Sequence, residues 1–203
     1  SGSVSLSGHY VYGENRPPTG PDSHGLARLR SRLDLTYDTK LSNDWALYAS
    51  GYAFYDGAYS LKDRSEFPEQ TLDELESEAE LGVTYLRGRL NRSTDLTVGR
   101  QIVVWGKSDN LRVTDIINPL DNREPGVTDI RNLRLPVTMG RLDYYIGDWN
   151  ISAIAIPEIR FDKQPPFGSA YYPVPSEPFP EEIPKDGGSN TEYAASASAT
   201  FSG

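Results

Sequence analysis

Apolar and polar residues alternate along most of this chain, and the alternation has period 2. Between residues 25 and 39, Ala27, Leu29, Leu33, Leu35 and Tyr37 share one parity and Arg28, Arg30, Arg32 and Asp34 the other. Successive side chains of a strand point to opposite faces, so this stretch predicts a strand with one apolar and one charged face. Residues 45–57 repeat the pattern, with Trp45, Leu47, Ala49, Gly51, Ala53 and Tyr55 set against Tyr48, Ser50, Tyr52 and Phe54. In 75–90, Leu75, Ala79, Leu81, Val83 and Tyr85 oppose Glu76, Glu78, Glu80 and Thr84. The Glu-rich start would tolerate a helix, but Gly82 and the Val-Thr-Tyr continuation favour a strand. Further strands are expected at 3–13, at 95–106, at 135–147 paired with 150–156, and at 191–203, where Tyr193, Ala195, Ala197, Ala199 and Phe201 align.

The connections between these runs alternate in length: long at 14–24, short at 41–44, long at 58–71, short at 91–94. Short turns at one end and long loops at the other are the habit of outer-membrane barrels, and a soluble sandwich has no reason to sort its loops this way. The fold expected is therefore all-β, an antiparallel up-and-down transmembrane β-barrel. The chain would form the N-terminal part of a larger barrel, since its last run stops at Phe201-Ser202-Gly203 and a final edge strand needs a partner. Residues 1–203 make one domain, carrying an inward-folded insertion at 106–134 (lumenal or extracellular, after the fifth strand) and a Pro-rich extracellular loop at 157–189.

Composition sharpens this in three ways. No apolar run of about 18 residues exists, which leaves strands as the only means of crossing a bilayer. Tyr and Trp, 13 and 3 against 6 Phe, suit membrane interfaces, where a ring with a polar tip is at home. The net charge of −9, with no basic run, argues against nucleic acid as a partner. Cysteine is absent, so no disulfide or thiolate metal site supports the fold.

Two charged ladders are the first candidate site. With direction assigned from loop length, Arg28, Arg30 and Arg32 fall at the height of Glu76, Glu78 and Glu80, two strand spacings or roughly 9 to 10 Å away. Facing inward, they would set a transverse field across a lumen. Alternatively they form a salt-bridged network that rigidifies the wall or pins a plug. A lipid-facing arginine would cost roughly 2 to 4 kcal/mol near the midplane, so an inward orientation is expected in either case.

The second candidate is the stretch Gly99–Asp121, GRQIVVWGKSDNLRVTDIINPLD. It opens as a strand ending in Trp105-Gly106 and continues as a mixture of Leu111, Val113, Ile116, Ile117 and Leu120 with Arg112, Asp115, Asn118 and Asp121, closed by Pro119. Solvated loops seldom hold so many aliphatics, so the segment is expected to fold inward as a lid or constriction. The motif G-R-Q-x-V-x-W-G followed by R-x-x-D-x-x-N-P-x-D resembles the hallmark of a proteobacterial outer-membrane family catalogued as a domain of unknown function, over about residues 75–203. That resemblance implies a long single-chain β-barrel, a channel or an uptake and export protein for hydrophobic compounds, and an association with transporters of the RND superfamily. It also marks Arg100, Trp105, Arg112, Asp115, Asn118, Pro119 and Asp121 as the residues that shape a constriction.

Other chemistry finds little support. His9 and His24 are the only histidines, and neither lies near a nucleophile-elbow motif. Asp109, Asp115, Asp121 and Asp129 are hard-cation ligands in type, but their spacing matches no Ca²⁺ loop. No catalytic residue, metal or cofactor is expected. The function expected is a porin-like channel for small or amphiphilic solutes, surrounded by outer-membrane lipid. The alternative is a soluble or surface-displayed all-β module that engages a partner through its Pro-rich loop.

Overall fold

The structure is a computed structural model, which describes residues 1–12, 24–105, 116–127, 133–172 and 184–200. Its eight strands are β1 (Gly2–Val11), β2 (Gly25–Lys40), β3 (Trp45–Asp56), β4 (Ser77–Asn91), β5 (Thr94–Gln101), β6 (Val137–Ile146), β7 (Trp149–Ile156) and β8 (Glu192–Ala199). Each pairs antiparallel with the next, in the order β1 to β8. The all-β, up-and-down reading of the alternation thus holds. The sheet is open among the described residues: β1 and β8 are its two edges and do not pair with each other.

The short connections β2–β3, β4–β5 and β6–β7 all lie at one end of the sheet, and the long ones all lie at the other. The β3–β4 connection is more than the plain loop expected at 58–71. It holds two short helices, α1 (Ala58–Leu61) and α2 (Glu69–Leu75), with a 3-10 turn between them. Pro68 precedes the first residue of α2, where its fixed φ is compatible with a helix start, and Leu72 and Leu75 bury themselves with Tyr59. Glu76 is the residue that ends this helix, so it lies off β4. The expected strand at 75–90 therefore starts two residues late.

Register divides the sheet into two faces. Arg30, Arg32 and Asp34 on β2 pair with Asp56, Phe54 and Tyr52 on β3, and Phe54 and Tyr52 pair with Glu78 and Glu80 on β4. This polar face continues through Ser3, Ser5 and Ser7 on β1. A bulge interrupts β4 opposite Ser50: Ala49 pairs with Thr84, but Gly51 pairs with Leu81. The extra residue reverses the parity beyond it. Tyr85 therefore joins the polar face and stacks on Tyr48 at 5.4 Å, instead of sharing the face of Leu81 as strict alternation would have it.

The opposite face is apolar and bare. Val4 and Leu6 are 79% and 72% exposed, and Leu33, Leu35, Leu81, Val98, Leu142 and Ile151 are exposed beside them. Aromatic residues mark its two ends. Tyr37, Trp45, Tyr144 and Trp149 cluster by strand position toward the short turns, and Tyr55 and Tyr193 toward the long loops. From Trp45 to Tyr55 on β3 is about 33 Å along a strand, or about 25 Å of height at a tilt near 40°. On the other face a compact core forms over β6 and β7, where Val103, Val137, Met139, Ile154 and Ile156 pack with Trp105 and Ile117.

The Trp45 ring lies on Gly88, its partner across the ladder, where an added Cβ would fall 2.2 Å from the ring. Gly88→Ala is expected to push the indole off the sheet at a cost of about 1 to 3 kcal/mol. A lowered urea midpoint and a shifted Trp emission in the refolded protein would report it.

Candidate functional site, a charged network over the polar face

The polar face of β2–β4 is covered by residues 116–127 and 157–172, which belong to the connections after β5 and β7. The two segments knit together before they reach the sheet. Leu120 bridges antiparallel to Arg134, and Asp121 bridges parallel to Lys163. Backbone hydrogen bonds run from Asp121 N–H to Leu133 C=O (2.7 Å), from Lys163 N–H to Leu120 C=O (2.8 Å) and from Asn122 N–H to Lys163 C=O (2.8 Å). The Leu120 N–H donates to the Asp162 carboxylate at 2.6 Å. Satisfying the backbone in this way is what lets irregular chain lie against a sheet.

Asn118 anchors the entrance to this unit. Its side chain, 3% exposed, accepts from Val103 N–H at 2.7 Å and donates to the carbonyls of Gln101 (2.9 Å) and Leu135 (3.0 Å). The amide does here what a neighbouring strand would do, completing the ladder where β5 ends. Pro119 follows, lacks an N–H to satisfy, and offers its carbonyl to Leu135 N–H at 2.7 Å.

The neighbours Arg123 and Glu124 then divide the two ladders between them. The Glu124 carboxylate takes two hydrogen bonds from Arg30, at 2.6 and 3.2 Å, and lies 3.5 Å from Arg28. Arg123, buried, donates to Glu78 at 2.8 Å, to Asp121 at 2.6 Å and to the Glu74 carbonyl at 2.7 Å. From the second segment Lys163 reaches Glu78 at 2.5 Å and Glu80 at 3.2 Å, and Arg160 donates to Glu80. Arg100 adds contacts to Glu80 and Glu158 from β5. Arg28, Arg30, Glu78 and Glu80 thus find counter-charge in the inserted segments instead of in the other ladder, with Asp56 and Arg100 adding to it from the sheet.

Aromatic residues hold the space between the ladders. The Arg30 guanidinium lies 4.0 Å over the Phe54 ring and that of Arg32 3.9 Å over Tyr52. The Tyr52 hydroxyl donates to Glu78 at 3.0 Å. Arg32 pairs with Asp34 on its own strand.

Outside the strands, burial works against the charge of Asp121, yet the hydrogen bonds and charge of Arg123 outweigh it and hold the carboxyl below its usual value. Burial likewise disfavours ionised Tyr171, helped by nearby Glu124, and pushes its hydroxyl up to about 12. It therefore stays protonated 3.0 Å from His9 Nδ1. Because the folded Asp121 value is depressed, its contribution is complete above the unfolded value of about 3.9 and is lost as pH falls through the lower folded one. Residues 116–127 are expected to resist pepsin at pH 4.5 and to become cleavable toward pH 2. Equal cleavage at both pH values would count against this ion pair as a fastener.

A family model described as a protein of unknown function, DUF1302, matches residues 23–176, which include β2–β7 and the whole of this network. The chain belongs to that family. The match starts upstream of the 75–203 stretch on which the motif resemblance was drawn, and ends before β8. No curated protein and no solved structure matches the chain.

Of the residues singled out in this DUF1302 chain, Arg28 and Arg30 meet at Glu124, and Glu78, Glu80, Arg100 and Asp121 meet in a second cluster around Arg123 and Lys163, the two joined through the adjacent residues Arg123 and Glu124. Arg32 stacks beside it. Glu76 stands apart, paired with exposed Arg64 at 2.9 Å. Trp105 packs into the β6–β7 core and Asn118 closes the end of β5. Arg112 and Asp115 lie outside the described residues, as do Asp109 and Asp129. Among the described residues no group of three or more His, Asp or Glu could hold a metal. No described helix is long and apolar enough to cross a membrane, which says nothing of strands. Arg123, Glu124, Arg160 and Lys163 were missed. Their one sequence signal is an Arg-Glu pair of opposite sign to the ladders, and it has no period by which to recognise it. The described part of the Pro-rich loop is also held: Phe167 C=O accepts from the Thr71 hydroxyl at 2.8 Å, and Pro166 is fully buried.

Proposed function

We propose that this chain forms part of the wall of a transmembrane β-barrel in the bacterial outer membrane, a channel or transport protein for small or amphiphilic solutes, with the 116–127 and 157–172 segments as the lumenal constriction. The observation that carries the reading is the exposed apolar face, which runs across the strands between aromatic ends set about 25 Å apart. A water-soluble sheet does not leave such a face bare. The polar face behind it supports the orientation, because buried charge lines the side away from lipid. The segments bound there narrow whatever space that side encloses.

The three tryptophans make a direct test. Trp45 and Trp149 lie on the apolar face, and Trp105 lies in the core on the other. In vesicles doped with brominated lipid, the Trp45 and Trp149 emission is expected to be quenched. The W45F/W149F double variant should leave a Trp105 signal that the lipid does not reach. A protein that partitions into the aqueous phase without detergent, with equal quenching of all three, would sink the proposal. Conductance steps in planar bilayers would then establish the channel itself.

A further inference from the structure

Between the β2–β3 wall and the inserted segments lies a cavity of about 150 Å³, reached from solvent and lined by five arginines against three carboxylates. The chain as a whole carries −9, so this is a local reversal of its field. The carboxylates are already engaged: Glu124 by Arg28 and Arg30, Asp121 by Arg123, and Glu80 by Arg160 and Lys163. Arginines thus outnumber carboxylates by two among the lining groups, with Arg30 and Arg32 paired also to Asp56 and Asp34 outside the lining. One further observation points to a ligand. Arg32, partly exposed, lies over the Tyr52 ring, and its contacts with Asp34 use Nε and Nη2 and leave Nη1 outside the pair.

We propose that this cavity is a binding site for the carboxylate head of a small amphiphilic solute. Guanidinium groups fixed by stacking are pre-organised for a planar carboxylate, which they can meet with two parallel hydrogen bonds. The remaining wall, Phe54 with Leu133, Leu135 and Pro136, offers apolar surface to a short chain behind the head. The volume admits a few heavy atoms beyond the carboxylate and no large ring system. The site rests on the channel reading only for its biological sense; its occupancy does not depend on a membrane.

The full chain, refolded in detergent, is titrated calorimetrically with hexanoate, 1-hexanol and inorganic phosphate. Hexanoate is expected to bind at least tenfold more tightly than hexanol, and Arg32→Gln to weaken it about tenfold while leaving the weak hexanol binding unchanged. Arg32→Lys should recover part of the loss. Equal binding of hexanoate and hexanol by the wild-type chain would overturn the site without recourse to any variant. So would tighter binding of phosphate than of hexanoate, or indifference of hexanoate to Arg32→Gln in a chain whose circular dichroism matches wild type. Lipid quenching as above, with hexanoate binding absent, would reject the site alone and leave the channel reading in place.

Discussion

Arg123→Ala should release residues 116–127 from the sheet and lower stability by about 3 kcal/mol, the low end for breaking a buried ion pair by removing one partner. The magnitude follows from what is left behind. Glu78 and Asp121 lose a shared donor, and the Glu74 carbonyl at the end of α2 loses its partner. Lys163 still reaches Glu78, so one of the two carboxylates keeps a counter-charge and the loss stays near the lower bound. Arg123→Lys should fall between, because one ammonium cannot span three acceptors as a planar fork does. Urea unfolding in micelles measures the energy, and chymotrypsin measures the release. If the protein spans a membrane as a channel, single-channel conductance should rise. A variant as stable and as protease-resistant as wild type would show that the segment is held elsewhere.

Asn118 should be the other costly position, with Asn118→Ala expected to destabilise by about 3 kcal/mol or more. The substitution strands one N–H and two carbonyls in a buried site, at roughly 1 to 3 kcal/mol each before water enters. Asn118→Asp separates the possible causes. Aspartate retains the acceptor for Val103 N–H but turns oxygen toward the Gln101 and Leu135 carbonyls, so it should be at least as damaging as alanine. If aspartate is tolerated and alanine is not, the residue serves by volume and not by its hydrogen bonds. Loss of the β6–β7 core packing, read from Trp105 emission, should accompany either variant.

Strand identity and order were legible in the sequence most clearly at β2–β4, which have one face against polar groups and one bare, and this writes period 2 into the residues themselves. The ladders were legible for the same reason: Arg28, Arg30 and Arg32 share a parity by virtue of sharing a face. Two kinds of feature escaped. A bulge changes parity without changing composition, so Tyr85 was assigned to the wrong side. The helix at 69–75 wrote too few turns to outweigh the alternation that follows it, and Glu76 was drawn into the strand. The partners of the ladders escaped more completely. Arg123 and Glu124 act at sequence distances of 45 and 94 residues from Glu78 and Arg30, and no local pattern encodes which distant charge a loop residue will meet. Asn118 was selected through the motif, but its work, standing in for a strand, depends on where β5 stops.

The antiparallel order also fixes a sequence of events during folding. Every strand pairs with its immediate successor, so the sheet can assemble from adjoining hairpins with little loop entropy to overcome, whereas the links from Arg160 and Lys163 to β4 join residues 80 and 85 apart. The meander should therefore form early and the cross-links late, as a separate slow phase. Until that phase is complete, Arg28, Arg30, Glu78 and Glu80 would lack the counter-charges that Glu124, Arg123, Arg160 and Lys163 bring, and only Asp56 and Arg100 would offset them from within the sheet. An early intermediate of this protein should accordingly be far more sensitive to ionic strength than the finished fold.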